Sequence, residues 1–137
     1  MITSTHNPRI AAVRKLRRTR ERRATGLTTI EGPFLLEEAL AGDVEIREVF
    51  ARPDDGAAAD LCATAGLEIT AVSPTVLSSL AGSVSPRGPV AVIATPPSAE
   101  LDRVDTVVLW NISDPGNAGT IIRTAAELGF QVAVTGG

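Results

Sequence analysis

Apolar and polar positions alternate along this chain in short blocks that predict a succession of helices and strands. Asn7-Pro8 is typical of a helix N-cap followed by proline at the first helical position, and Ile10, Val13 and Leu16 then form an apolar stripe. Strands are predicted at residues 27–30, 46–50, 68–72 and 89–94, and further helices at residues 34–40, 57–65 and 73–82. This alternation predicts an α/β domain over residues 1–95.

The pattern changes after that domain. Residues 96–104 open with paired prolines and predict a linker. A strand typical of a buried parallel sheet is then predicted at 106–110, a loop at 111–117, a helix at 118–128 and a strand at 130–135. We expect Ile121, Ala125 and Leu128 to share the buried stripe of that helix. Because one β-α-β unit cannot close a doubly wound sheet, residues 105–137 are expected to begin an incomplete second domain.

Composition excludes several classes of protein. With 137 residues, 44% of them apolar, the chain can bury a core and is expected to be globular. Cys62 and His6 are the only residues of their types, which excludes an internal disulfide framework, cysteine-built zinc sites and multi-histidine metal sites. No secretory signal and no run of 18 apolar residues is present, so we expect a cytoplasmic protein without a membrane span.

The charge is distributed unevenly. Residues 1–23 carry a net charge of +7, whereas residues 24–137 carry −10. This asymmetry favours an anionic partner near the N-terminus, although a solvated helix or an arginine-rich targeting segment would show the same composition. If about four of these cations contact phosphates, log affinity should fall with log salt at a slope of about −3 to −4. The basic residues from which we expect RNA contacts are Arg9, Arg14, Lys15, Arg17 and Arg18.

The loop after the strand at 106–110 carries the candidate chemistry. Ligands of α/β sheets bind at the carboxyl ends of parallel strands, where this loop is expected to lie. Asp114-Pro115-Gly116 predicts a turn, and Asn117 is a candidate helix cap. The glycine spacing matches neither a dinucleotide fingerprint nor a phosphate loop. One helix face is expected to carry Thr120, Arg123 and Glu127, which without further information predict only a surface ion pair.

Two stretches of the sequence resemble the SpoU (TrmH-like) RNA methyltransferases of the SPOUT class. The segment DPGNAGTIIRTA at residues 114–125 is similar to the first catalytic motif of that family. ITS at residues 2–4, NP at 7–8 and IEGP at 30–33 are similar to its N-terminal substrate-binding domain. The resemblance covers essentially the whole chain, in the order found in the family.

The resemblance implies a fold and a function. Residues 1–95 would form a ribosomal-protein-like α/β sandwich that binds structured RNA, and residues 105–137 would begin a trefoil-knotted methyltransferase domain. The cofactor would be S-adenosylmethionine, and the product a 2′-O-methylated ribose in ribosomal or transfer RNA. Members of the family are homodimers.

The resemblance also implies site residues. Asn117 and Arg123 match the catalytic motif, and Glu31 and Gly32 match the RNA-binding signature. Phe34 departs from the family, which often has a basic residue at this position. The second and third catalytic motifs are absent, so the cofactor-binding residues are expected beyond Gly137 and the chain as given is expected to be inactive.

Two points stay open at the level of sequence. Arg123 is interpreted either as the base that activates the ribose hydroxyl or as a clamp on the adjacent phosphate. We favour the clamp, because a guanidinium stays protonated in proteins. The alternatives to a methyltransferase are a non-catalytic RNA-binding module and a nucleotide-binding enzyme of another class.

Overall fold

The computed structural model describes residues 1–83, 86 and 88–136, and it divides the chain into two compact units, Met1–Pro96 and Pro97–Gly137. The first unit contains the helices α1 (Pro8–Lys15), α2 (Thr19–Thr25), α3 (Pro33–Ala41), α4 (Gly56–Ala65) and α5 (Pro74–Leu80). Its strands are β1 (Leu27–Glu31), β2 (Ile46–Ala51), β3 (Ile69–Ala71) and β4 (Val90–Ala94). The second unit contains β5 (Thr106–Trp110), α6 (Pro115–Glu127) and β6 (Gln131–Thr135).

The first unit is built on a four-stranded mixed sheet in the order β1-β4-β2-β3. β4 is antiparallel to both β1 and β2, whereas β2 and β3 are parallel. β1 is therefore an edge strand. At the opposite edge Ile2 forms a parallel bridge with Val72, and its amide donates to the carbonyl of Ala71 at 2.8 Å.

Helices cover both faces of this sheet. On one face Phe50 lies in a buried cluster with the stripe of α1 and the apolar side of α5, as the spacing of Ile10, Val13 and Leu16 predicts. On the other face Val49 packs with Leu36 of α3 and Cys62 of α4. Neighbouring residues of one strand thus serve opposite cores, because side chains alternate across a sheet. The specific ribosomal-protein-like type of sandwich stays a prediction.

The basic N-terminal segment forms two helices. Asn7 caps α1, since its side-chain oxygen accepts from the amide of Arg9 at 2.9 Å, as the sequence predicts. The helix ends at Lys15, and α2 begins at Thr19, ends at Thr25 and is followed by the C-cap residue Gly26, which has a φ of +67°. A left-handed residue at this place turns the chain into β1, and glycine adopts that conformation at little cost.

The second unit pairs β5 and β6 in parallel and in register from Thr106↔Gln131 to Trp110↔Thr135. The limits of the two strands agree closely with the prediction, but β5 is not buried as its sequence predicts, since Val108 is 59% exposed and Trp110 69%. The helix begins earlier than predicted. Pro115 is its first residue, and Asp114 rather than Asn117 is its cap, accepting from the amide of Gly116 at 3.0 Å. The prediction of a loop up to residue 117 overlooked Pro115, because proline favours the first position of a helix.

The predicted buried stripe of α6 is only partly correct. Ala125 is 4% exposed, but Leu128 is 68% exposed and lies beyond the end of the helix. Helical spacing no longer controls where a side chain points once the chain has left the helix. No helix among the described residues is long and apolar enough to cross a bilayer.

Candidate nucleic-acid interface and catalytic loop

Two of the residues predicted to bind RNA, Arg9 and Arg17, instead contact other residues of the first unit. Arg9 forms an ion pair with Glu48, and its guanidinium also donates to the hydroxyl of Thr70 at 3.1 Å. Arg17 donates to the backbone carbonyl of Ser79 at 2.8 Å and to that of Ala81. Arg9 therefore joins α1 to the sheet, and Arg17 joins the end of α1 to the end of α5.

Arg22 has a comparable internal role that the sequence analysis did not anticipate. Its Nη1 donates to the carbonyls of Leu16 and Arg17, both at 2.8 Å, just beyond the end of α1. The last carbonyls of a helix lack partners within it, so a nearby guanidinium satisfies them and complements the helix dipole. The available signal was the position of Arg22, six residues after Leu16, which ends the apolar stripe of α1. Composition alone did not distinguish Arg22 from the basic residues beside it.

The other five basic residues of the segment are available to a ligand. Within the described residues, none of their side chains takes part in an ion pair or a hydrogen bond. They lie at the end of α1, in the turn after it and on α2: Arg14, Lys15, Arg18, Arg20 and Arg23. Three of these were predicted to contact RNA, and Arg20 and Arg23 were not singled out.

Glu31 and Gly32 lie where β1 ends and α3 begins. The Glu31 carboxylate accepts from the amides of Gly82 at 3.1 Å and Ser83 at 3.4 Å, and from the Ser83 hydroxyl. Gly32, with a φ of +97°, caps α3 and donates its amide to the carbonyl of Pro89 at 2.8 Å. Both residues hold the β1–α3 turn against the segments that flank β4 and α5, and Phe34 beside them is 67% exposed.

The candidate catalytic loop follows β5. Asn111 adopts a φ of +51°, and its amide donates to the carbonyl of Thr135 at 3.1 Å, which brings the carboxyl ends of β5 and β6 together. Asp114 then caps α6. A pocket of about 370 Å³ lies between this loop and the first turns of the helix. Its lining residues are Asn111, Ile112, Ser113, Asp114, Asn117, Thr120 and Ile121.

Asn117 and Arg123 occupy different places on α6. Asn117 lines the pocket, whereas Arg123 is not among the described residues that line it. The guanidinium of Arg123 folds back along the helix, and its Nη1 lies 3.6 Å from the position that a Cβ on Gly119 would occupy. Arg123 and Glu127 form no ion pair among the described residues, so the surface pair that spacing alone would suggest is not present there.

The described residues contain no group of three or more potential metal ligands. Burial raises the pKa of the Cys62 thiol, which lies in the core between α3 and α4. Arg52 holds the pKa of the Asp54 carboxyl below its usual value through a hydrogen bond at the surface.

Together these features define a class of protein: an α/β domain with an exposed basic helix, followed by a parallel β-α-β unit with a polar pocket at its strand ends. The family of the MRM3-like substrate-binding domain matches residues 7–91. The chain belongs to this family of substrate-binding domains, within the SpoU (TrmH-like) RNA methyltransferases.

Two curated relatives match nearly the whole chain. A tRNA/rRNA methyltransferase of Synechocystis, itself uncharacterised, is 35% identical over 141 residues, covering 95% of this chain and 50% of its own. The 23S rRNA (guanosine(2553)-2′-O)-methyltransferase RlmP of Bacillus subtilis is 30% identical over 136 residues, covering 98% of this chain and 54% of its own. The chain thus spans about half the length of the curated relatives it matches.

Solved structures give the same result. An RNA 2′-O ribose methyltransferase aligns with a TM-score of 0.78 and 28% identity, covering 99% of this chain and 55% of that one. The SpoU methyltransferase AviRb of Streptomyces viridochromogenes, solved with AdoMet, aligns with a TM-score of 0.73 and 26% identity over 94% of this chain and 53% of that one. The mixed α/β fold is therefore that of SpoU methyltransferases.

Proposed function

We propose that this chain supplies the RNA-binding domain and the beginning of the catalytic domain of a methyltransferase. The enzyme would transfer a methyl group from S-adenosylmethionine to a ribose 2′-hydroxyl of ribosomal or transfer RNA. The observation that carries the proposal is the similarity to an RNA 2′-O ribose methyltransferase over 99% of the chain, which includes both units in the same order.

RNA would be held by the first unit through its backbone. Arg14, Lys15 and Arg18 have no partner among the described residues, and their charge lies in a segment with a net charge of +7. Cationic side chains that contact phosphates displace the counterions condensed on the nucleic acid. This release contributes affinity that does not depend on the base sequence. Glu31 and Gly32 would act in this unit by fixing the turn beside which the RNA lies.

The second unit would position the reacting ribose. Asn117 lies in a pocket lined by hydroxyl, amide and carboxylate groups, which suits a sugar. Arg123 would hold the adjacent phosphate through two parallel hydrogen bonds and would lower the pKa of the hydroxyl through its fixed charge. Positioning of two reactants can by itself contribute about 7–11 kcal/mol to a reaction of this kind.

S-adenosylmethionine supplies an electrophilic methyl group when it is bound. The residues of the candidate loop do not by themselves fit the whole cofactor, because every residue from Asn111 to Asn117 is exposed and none encloses an adenosyl group. We therefore assign no cofactor-binding residue in this chain. We propose that the cofactor-binding residues lie in the part of the enzyme that corresponds to the other half of its relatives. We also propose that the whole enzyme is a cytoplasmic homodimer.

Methyl transfer tests the proposal. The chain would be expressed as given and in a version that continues past Gly137, and each would be incubated with radiolabelled S-adenosylmethionine and total RNA. A 2′-O-methyl group makes its phosphodiester resistant to alkali, so labelled alkali-resistant dinucleotides from the longer version are the expected result. RNA binding by both versions without any label would refute the enzyme and support a non-catalytic RNA-binding module.

Variants of Arg123 test its role. Arg123→Lys keeps the charge but not the two parallel hydrogen bonds, so we expect it to lose most of the activity of the longer version. Near wild-type turnover by this variant would refute the clamp. If the rate rose tenfold per pH unit up to high pH only when Arg123 was present, the guanidinium would be acting as a base instead.

A further inference from the structure

The groove between α2 and the edge strand β1 is a second feature of the basic face. It has a volume of about 410 Å³. Its lining residues are Thr19, Arg22, Arg23, Gly26, Thr28 and Thr95. Two of these are cationic and three carry hydroxyls, and none of the described lining residues carries a carboxylate.

The groove is built by backbone geometry rather than by chance exposure. Gly26 ends α2 in a left-handed conformation and sends the chain back alongside the helix as β1. Its carbonyl accepts from the amide of Thr95 at 2.8 Å, which extends the pairing of β1 and β4 by one step. Thr95 is thereby fixed opposite Gly26, two positions along the sheet from the pair of Thr28 with Ile93, and both threonines line the groove.

The two arginines of the groove differ in what they can do. Arg22 is held by the carbonyls at the end of α1, and its Nη2 also donates to the hydroxyl of Thr19 at 3.0 Å. It therefore contributes a fixed positive charge, and the hydroxyl that accepts from it keeps its own proton to donate. Arg23 takes part in no ion pair or hydrogen bond within the described part of the chain, so its guanidinium is available to a ligand.

Another groove of the first unit lacks this character. The space of about 510 Å³ beside α1 is lined by Arg9 and Arg47, but Glu48 lies in it as well. Arg9 is paired with Glu48, and Arg47 with Glu45 at 3.2 Å. An anion there would compete with carboxylates that are already in place, whereas the described lining of the α2–β1 groove carries none.

We propose that the α2–β1 groove binds a backbone phosphate and its ribose, with Arg23 as the phosphate ligand and Thr28 and Thr95 as hydroxyl donors. The occupant is RNA, which is the anionic polymer that the proposed function supplies, so the proposal rests on that function. Arg18 and Arg20 adjoin Thr19 of the groove in the chain and add to the positive charge of this segment. Binding of this kind fixes the register of the RNA without reading its bases.

The test measures binding of a fluorescein-labelled single-stranded RNA of twelve nucleotides, followed by fluorescence anisotropy at several salt concentrations. Arg23→Gln removes one available cation, and Arg52→Gln is the matched control because Arg52 is already paired with Asp54 at 2.6 Å. We expect Arg23→Gln to weaken binding about three- to tenfold and to make the salt slope shallower by about 0.7. The control should leave both quantities unchanged.

Removal of the hydroxyls separates a specific groove from diffuse attraction. Thr28→Val and Thr95→Val keep the shape and the charge, and valine suits a strand as well as threonine does. We expect the double variant to bind about two- to fivefold more weakly with an unchanged salt slope. Circular dichroism and the melting temperature would show that each variant is folded.

The outcomes distinguish this groove from the proposed function. If the wild-type chain binds RNA with a steep salt slope but Arg23→Gln and Arg52→Gln behave alike, the groove is not a phosphate site, although the RNA-binding function stands. If only the charge variant has an effect and the threonine variants have none, the groove proposal is also overturned, because diffuse attraction then suffices. If the wild-type chain does not bind the RNA, both proposals fail.

Discussion

Replacement of Glu31 by alanine tests whether this residue acts through the fold. Its carboxylate accepts from two backbone amides, those of Gly82 and Ser83, and from the Ser83 hydroxyl. The change would leave all three donors without their acceptor. Because Gly82 and Ser83 are exposed, water can replace the carboxylate, and the cost should lie at the low end for hydrogen bonds to a charged group, at about 1–2 kcal/mol.

The expected effect is measurable by thermal unfolding. For a domain of 60–100 residues each kcal/mol corresponds to about 4–8 °C, so Glu31→Ala should lower the melting temperature by about 5–15 °C. Far-ultraviolet circular dichroism is the suitable probe, because the only tryptophan, Trp110, lies in the second unit. Glu37→Ala is the matched control, since Glu37 on α3 is exposed and makes no hydrogen bond within the described residues.

A local measurement identifies the cause of the loss. In Glu31→Ala the amides of Gly82 and Ser83 should exchange with solvent faster than in the wild type, whereas Glu31→Gln should give an intermediate result because its amide oxygen still accepts one bond. If Glu31→Ala melts with the wild type and the two amides keep their protection, the carboxylate does not hold this turn.

Three further predictions concern the core and the turns. Leu36→Ala should lower the free energy of unfolding in urea by about 2–5 kcal/mol, because Leu36 is 1% exposed, whereas Leu35→Ala should cost under about 1 kcal/mol because Leu35 is 45% exposed; equal losses would contradict the packing. Gly88→Ala should lower the melting temperature, because Gly88 has a φ of +107° and a Cβ there would lie 2.8 Å from Cδ of Pro33; an unchanged melting temperature would argue against this backbone. Burial raises the pKa of the Cys62 thiol, so it should react with Ellman's reagent only after unfolding. The stability that this shift contributes should be present below the ordinary thiol pKa of 9.0 and be lost as the pH rises through the raised value, and Cys62→Ala should flatten that alkaline decline.

The sequence by itself determined most of the elements. The stripe of Ile10, Val13 and Leu16 and the cap at Asn7 were predicted correctly, because helix periodicity and capping depend on residues close together in the chain. The limits of the strand at Thr106–Trp110 were also predicted correctly, because a run of β-branched and large apolar residues is likewise a local pattern. The resemblance to SpoU methyltransferases also depended on local motifs, and the comparisons confirm it.

Only the tertiary structure decided how the charges are used. Eight basic residues in one segment are equivalent by composition. Yet Arg9 contacts Glu48, 39 positions away in sequence, and Arg17 contacts Ala81 after α5, 64 positions away. Which cation finds an internal partner depends on the packing of α1 against the sheet and α5, and no local pattern encodes those distances. The same holds for the α2–β1 groove, to which Thr28 and Thr95 both contribute only when β1 and β4 pair. Long-range pairing therefore separates the residues that stabilise the first unit from those left available to a ligand.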